Sequence, residues 1–119
     1  MNKLFNEAAF HTLGAEIGKA DTLEVLRAFL EDTASKMVTL ATSSQDRPRI
    51  KREAHSIKSS AATFGFDNLS GLAKQLEFGA ETIDLAKLQE TVCELQRAFE
   101  VTRQFAQASL LDTDLGMAT

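Results

Sequence analysis

The sequence predicts an all-α protein, an antiparallel up-down-up-down four-helix bundle preceded by a short N-terminal helix. Three observations predict it. Apolar residues recur at spacings of three and four along almost the whole chain, the period of a helix with one buried face. No period-2 alternation survives for five residues, so half-buried strands are absent from the pattern. Only one Pro and six Gly occur in 119 residues, so breakers of the helical pattern are few. Four long apolar stripes joined by short polar turns fit neighbouring helices that run back along one another. A chain of this length suits one domain with one core, read here as residues 1–119 with a tail that frays from about residue 110.

The first segment, about Leu4 to Leu13, places Phe5, Ala9 and Leu13 on one stripe, and Gly14 and Gly18 weaken its continuation. The second runs from about Asp21 to Ala41. Asp21 with Glu24 three residues on makes a capping-box-like start. Its seam is Leu23, Leu26, Leu30, Met37 and Leu40, with Thr33 filling the gap. Thr42-Ser43-Ser44-Gln45 reads as a turn. Asp46 caps the third helix, Pro48 sits in its first turn, and Ile50, Ala54, Ile57, Ala61 and Phe64 form its buried face, closed by Gly65. Asp67 or Asn68 starts a fourth helix striped by Leu69, Leu72 and Leu76 and ended by Gly79. Thr82 or Asp84 starts the last, with Leu85, Leu88, Val92, Leu95, Phe99 and Thr102. After about Ser109 the pattern is lost.

Composition narrows the function. A net charge of −4 lacks the basic face a general nucleic-acid binder needs to neutralise phosphates. The eight aromatic residues are all Phe, which reads as core filling rather than base stacking. The single cysteine, Cys93, cannot form an internal disulfide and suits a reducing cytoplasm. Its helical setting reads as a buried or half-buried apolar position. The N-terminus has no apolar core of signal-peptide length, and no apolar run approaches the ~20 residues of a membrane span. The expectation is a cytoplasmic protein. The two histidines, His11 and His55, stand outside any Glu-x-x-His spacing, which argues against a metal site inside the bundle. His11 reads as a surface residue of the first helix. Arg47, Arg49, Lys51 and Arg52 make the start of the third helix basic, either a solvated face or a patch that steers acidic partners.

The informative residue is His55. At about 100° per residue, with His55 at zero, Lys51, Lys58, Ser59 and Ala62 fall within roughly 60° of it. Ile50, Ala54, Ile57, Ala61 and Phe64 fall on the opposite side, between about 180° and 260°. His55 therefore faces away from the core. Its neighbours one turn along, Ser59 and Ala62, are small and leave room for another protein, while Lys58 sets an ammonium group beside the ring. No carboxylate lies within one turn of His55 on this face, though Glu53 lies off to the side, and a carboxylate there would repel an incoming anion.

The run Ala54-His55-Ser56-Ile57-Lys58-Ser59-Ser60-Ala61-Ala62-Thr63-Phe64-Gly65 resembles the motif of histidine phosphotransfer domains, and Leu69 to Glu77 resembles the next helix of that family. With Phe5 to Phe10 and the seam from Leu23 to Leu40, the resemblance covers about residues 4 to 108. It implies that His55 is the phosphoacceptor, that Lys58 steadies the phosphoryl oxygens, and that Gly65 ends the helix. It also implies that Glu77 orients the imidazole through its second ring nitrogen. The family usually has Gly after the lysine. Ser59 stands there instead, which bears on the range of partners accepted.

The resemblance further implies a phosphocarrier that moves a phosphoryl group between aspartates of receiver domains in response regulators and hybrid histidine kinases. Ser56, Ser59 and Ala62 would line the docking surface, extended by the start of the second helix and the first helix. No cofactor of its own is expected: Mg²⁺ would come with the partner receiver. No nucleotide-binding pattern is present, so ATP-dependent self-phosphorylation is not expected. The chain is expected to act as a monomer without nucleic acid or membrane. The competing reading is a non-transferring helical adaptor that docks on receiver domains or kinases.

Overall fold

The computed structural model describes residues 3–43 and 45–111. Among the described residues there are five α-helices and no strand: α1 Glu7–Ile17, α2 Lys19–Thr42, α3 Arg47–Phe64, α4 Asp67–Gly79 and α5 Leu85–Phe105, which runs on into a π-helical segment, Ala106–Leu111. α2 packs on α3 and α5, α3 on α4, α4 on α5, and α1 lies against α2 and α3.

Capping chemistry explains where most helices begin. Asn6 accepts from the Ala9 amide, so α1 starts later than its apolar stripe suggested. It also continues through Gly14 to Gly18, whose φ of +89° breaks the helix. The Gly18 carbonyl then takes both the amide and the hydroxyl of Thr22, at 3.0 and 2.7 Å. α2 therefore begins at Lys19, and the capping box expected at Asp21 does not form: Asp21 lies in the first turn, favourable to the helix dipole but not a cap. Asp46 and Asp84 do cap, accepting from Arg49 and Lys87 at 3.1 and 2.8 Å. Neither Asp67 nor Asn68 caps α4. Phe66 holds that position, without a side-chain bond, because the chain turns straight out of α3.

Every residue expected on the α2 and α3 faces is buried, Thr33 included, and Thr22 and Phe29 join them. Each fully buried Leu, Ile or Phe contributes about 1.5–3 kcal/mol. Leu72 is only half-buried, and Leu85, at the first position of α5, is exposed. Leu110 and Leu111 remain helical and Leu111 is buried, so the pattern persists past Ser109; the rest of the expected frayed tail lies outside the described residues, as does Ser44 of the expected turn. Phe29 and Phe64 each stack on Phe66 and tilt against each other, and Phe5 joins Phe66, Phe10 and Phe105.

Two composition-based expectations are corrected. Phe78 is 67% exposed, so not every Phe fills the core. Cys93 is exposed, because it follows Val92 by a 100° step away from the buried face of α5. The basic cluster divides as well. Arg47 is half-buried and donates to the carbonyls of Ala80 and Ile83, at 3.0 and 2.5 Å. Lys51 pairs with Glu81 at 3.1 Å. These two tie α3 to the α4–α5 connection, whereas Arg49 and Arg52 remain exposed.

Candidate functional site

The exposed face of α3 is as its periodicity requires. The His55 side chain is 60% exposed, Ser59 and Ala62 are exposed, and Ser56 and Lys58 are half-buried. His11 is also exposed, on α1.

The neighbouring helix adds what the periodicity of α3 could not supply. Glu77, on α4, is 11% exposed, and its two oxygens face two residues of α3. Oε2 lies 2.7 Å from His55 Nδ1, and Oε1 lies 2.7 Å from Lys58 Nζ. One carboxylate thus joins the histidine and the lysine three residues further on. A second tie fixes the level of the two helices, since Ser70 Oγ donates to the Lys58 carbonyl at 2.9 Å.

The electrostatics follow from that arrangement. The Lys58 ammonium, above all, holds the Glu77 carboxyl below its ordinary value. Partial burial opposes this, and His55 adds to the lowering. An ionised carboxylate only accepts hydrogen bonds, so the ring nitrogen facing it is the proton carrier. His55 Nδ1–H therefore donates to Glu77. In the neutral ring the lone pair is then on Nε2, which no described residue engages. This is the carboxylate–histidine logic that fixes a tautomer and orients a ring. The negative charge beside the imidazole lies under its Nδ1 edge and is balanced by Lys58, rather than standing in the path of an incoming anion.

The expected site residues are therefore brought together in part. His55, Lys58 and Glu77 form one connected group, with Ser59 and Ala62 open beside it. Ser56 is less accessible than Ser59. The sequence reading missed Phe78, whose ring centroid lies 5.8 Å from Lys58 Nζ and 5.7 Å from Lys74 Nζ. A signal existed: Phe78 stands off the Leu69, Leu72, Leu76 stripe, so its ring had no place in the core. Among the described residues no group of three or more His, Cys, Asp or Glu gathers as a metal site, and no helix is long and apolar enough to cross a membrane.

A helical fold with an outward histidine tied to a lysine and a carboxylate suits transfer of a group between proteins, and the chain belongs to the Hpt domain family, whose model matches residues 21–110. It is a histidine phosphotransfer protein of a phosphorelay. It is similar to the phosphorelay protein LuxU of Vibrio vulnificus, from strains YJ016 and CMCP6, each 30% identical over 106 residues, covering 87% of this chain and 92% of the relative. LuxU of Vibrio cholerae serotype O1 is 28% identical over 110 residues, covering 90% and 94%. No solved structure matches the chain significantly.

Proposed function

We propose that His55 is the phosphoacceptor and that Nε2 is its attacking atom. The observation that carries this reading is the 2.7 Å contact of Nδ1 with Glu77, which leaves the other nitrogen, on a largely exposed ring, with the lone pair. The Nε2 lone pair attacks the phosphorus of an aspartyl phosphate on a receiver domain. The bond from phosphorus to the aspartate oxygen breaks with its electron pair, which restores the carboxylate, and a nitrogen–phosphorus bond forms. The ring, now substituted at Nε2 and still bearing Nδ1–H, becomes positively charged, and Glu77 stabilises that charge. Lys58 neutralises the phosphoryl oxygens, which suits a loose transition state governed by positioning and charge. The reverse step passes the group to another receiver aspartate.

The residues around His55 do not fit a divalent cation, since the one carboxylate facing the ring is paired with Lys58. Mg²⁺ is assigned to the receiver domain, and no ATP-dependent kinase activity is assigned to the chain. The partners are receiver domains of response regulators and hybrid histidine kinases, reached through the face bearing Ser56, Ser59 and Ala62. The ring of contacts α2–α3–α4–α5 supports an up-down-up-down four-helix bundle with α1 as its accessory helix. We read residues 1–119 as one domain, acting as a cytoplasmic monomer.

The test is transfer from a ³²P-labelled receiver to the wild-type chain and to His55→Gln. Label is expected on the wild type alone. Label on both would show that the group is carried elsewhere. The adaptor reading, a protein that docks on receivers without accepting the group, predicts binding with no label on either.

A further inference from the structure

Phe78 is the most exposed large apolar side chain among the described residues, and it stands beside the transfer site. The ammonium groups of Lys58 and Lys74 both lie over its ring, 5.8 and 5.7 Å from the centroid. Lys58 also belongs to the His55–Glu77 group, so the ring is continuous with the place where a partner has to dock. Buried aromatic anchors ringed by charge dominate transient interfaces, and cation–π contacts strengthen when water is removed from them. A receiver that holds a divalent cation and a phosphorylated aspartate gathers carboxylates around that aspartate. A flanking pair of ammonium groups complements such a surface.

From this juxtaposition we infer that Phe78, with Lys74 and Lys58 beside it, anchors the receiver on α4, against an apolar spot at the rim of the receiver's acidic pocket. The docking surface then spans two helices, Ser59 and Ala62 on α3 giving clearance and Phe78 on α4 giving grip. The inference rests on His55 being the transfer site.

The test measures the rate of transfer from a ³²P-labelled receiver that phosphorylates the wild-type chain, across receiver concentrations. Phe78→Ala is expected to need about tenfold more receiver for half-maximal rate, with the maximal rate held within about twofold. Phe78→Leu, which keeps apolar bulk, falls between the two. Lys74→Gln is expected to raise the half-saturating concentration about threefold and to flatten its dependence on salt. Val101→Ala, which trims another exposed apolar side chain, on α5, is expected to behave as wild type. Circular dichroism melting checks that each variant is folded. An unchanged concentration dependence in folded Phe78→Ala overturns the inference. So does a fall confined to the maximal rate, which would make Phe78 a support for Lys58 instead. Label appearing on His55→Gln removes the His55 reading and this inference with it, a result distinct from either.

Discussion

Glu77→Gln separates the charge of the carboxylate from its shape. The amide keeps an oxygen that can accept from His55 Nδ1–H but withdraws a negative charge 2.7 Å from the ring. A hydrogen bond involving a charged group contributes about 1.5–3 kcal/mol and a neutral one about 1 kcal/mol. The substitution therefore removes about 1–2 kcal/mol of support for the positive ring formed as the nitrogen–phosphorus bond is made. The ring is 60% exposed, so water screens part of the effect and the middle of that range is the better figure. About 1.4 kcal/mol is a factor of ten in rate. Single-turnover transfer from a labelled receiver should slow about tenfold, with the half-saturating receiver concentration unchanged. The same variant carries a stability signature. The Glu77 carboxyl is held below its ordinary 4.5, so its contribution to folding is fully present above that pH and is lost as pH falls through the lowered folded value. The melting temperature of the wild type should thus drop more steeply below pH 4.5 than that of Glu77→Gln. A variant that transfers at the full rate would refute the assignment of Glu77 to the ring.

Three other substitutions probe the scaffold and the access to His55. Gly65→Ala should lower stability by about 2 kcal/mol or more, read as a fall of roughly 8 °C in Tm. A side chain there adopts a φ of +87° and its Cβ meets the Asn6 carbonyl oxygen. Arg47→Met keeps the apolar stem but deletes the donors to Ala80 and Ile83, and should cost about 2 kcal/mol in urea unfolding. Ser59→Trp leaves an exposed position folded but fills the clearance beside His55. Receiver-dependent transfer should fall by about a hundredfold, the cost of misplacing reacting groups by an ångström, and a rate near that of wild type would move the docking face elsewhere.

The helices and the outward placement of His55 were legible because both follow from periodicity within one segment. The five residues of the α3 face and the six of the α2 seam needed no tertiary information. Helix starts were legible only where a side chain supplies the cap, as at Asp46 and Asp84. At Gly18 a backbone carbonyl and the Thr22 hydroxyl do the work, and at Phe66 a tight turn leaves no room for a cap, so polar residues one to three positions further on were mistaken for one. The grouping of His55, Lys58 and Glu77 was legible in part. Lys58 shares a helix with His55, but Glu77 is 22 residues away, and its role followed from family resemblance rather than from spacing. The difference between Arg47 and Arg49 was not legible, because only the fold decides which guanidinium finds two carbonyls.

What brings Glu77 to His55 is the turn between α3 and α4. Phe66 N–H donates to Ala61 O and Gly65 N–H to Ala62 O, at 2.9 and 3.1 Å, a Schellman closure that reverses the chain within two residues. From Gly65 the two helices run back along each other, and their partners recede in step: Lys58 with Ser70, His55 with Glu77, Lys51 with Glu81. His55 lies ten residues before the glycine and Glu77 twelve after it, about 15 and 18 Å along the two axes, a mismatch smaller than one turn. One residue inserted within α4 between Ser70 and Glu77 would turn the carboxylate by about 100° about the helix axis and swing it off the ring. The N-terminal segment guards this register. Asn6 N–H donates to the Gly65 carbonyl at 2.6 Å and Asn68 N–H to the Lys3 carbonyl at 2.7 Å, so the turn is clasped by backbone on both sides. The same closeness leaves no space for a Cβ at Gly65. A glycine roughly 15 Å from the histidine along α3 thereby helps hold the register in which Glu77 meets His55 Nδ1.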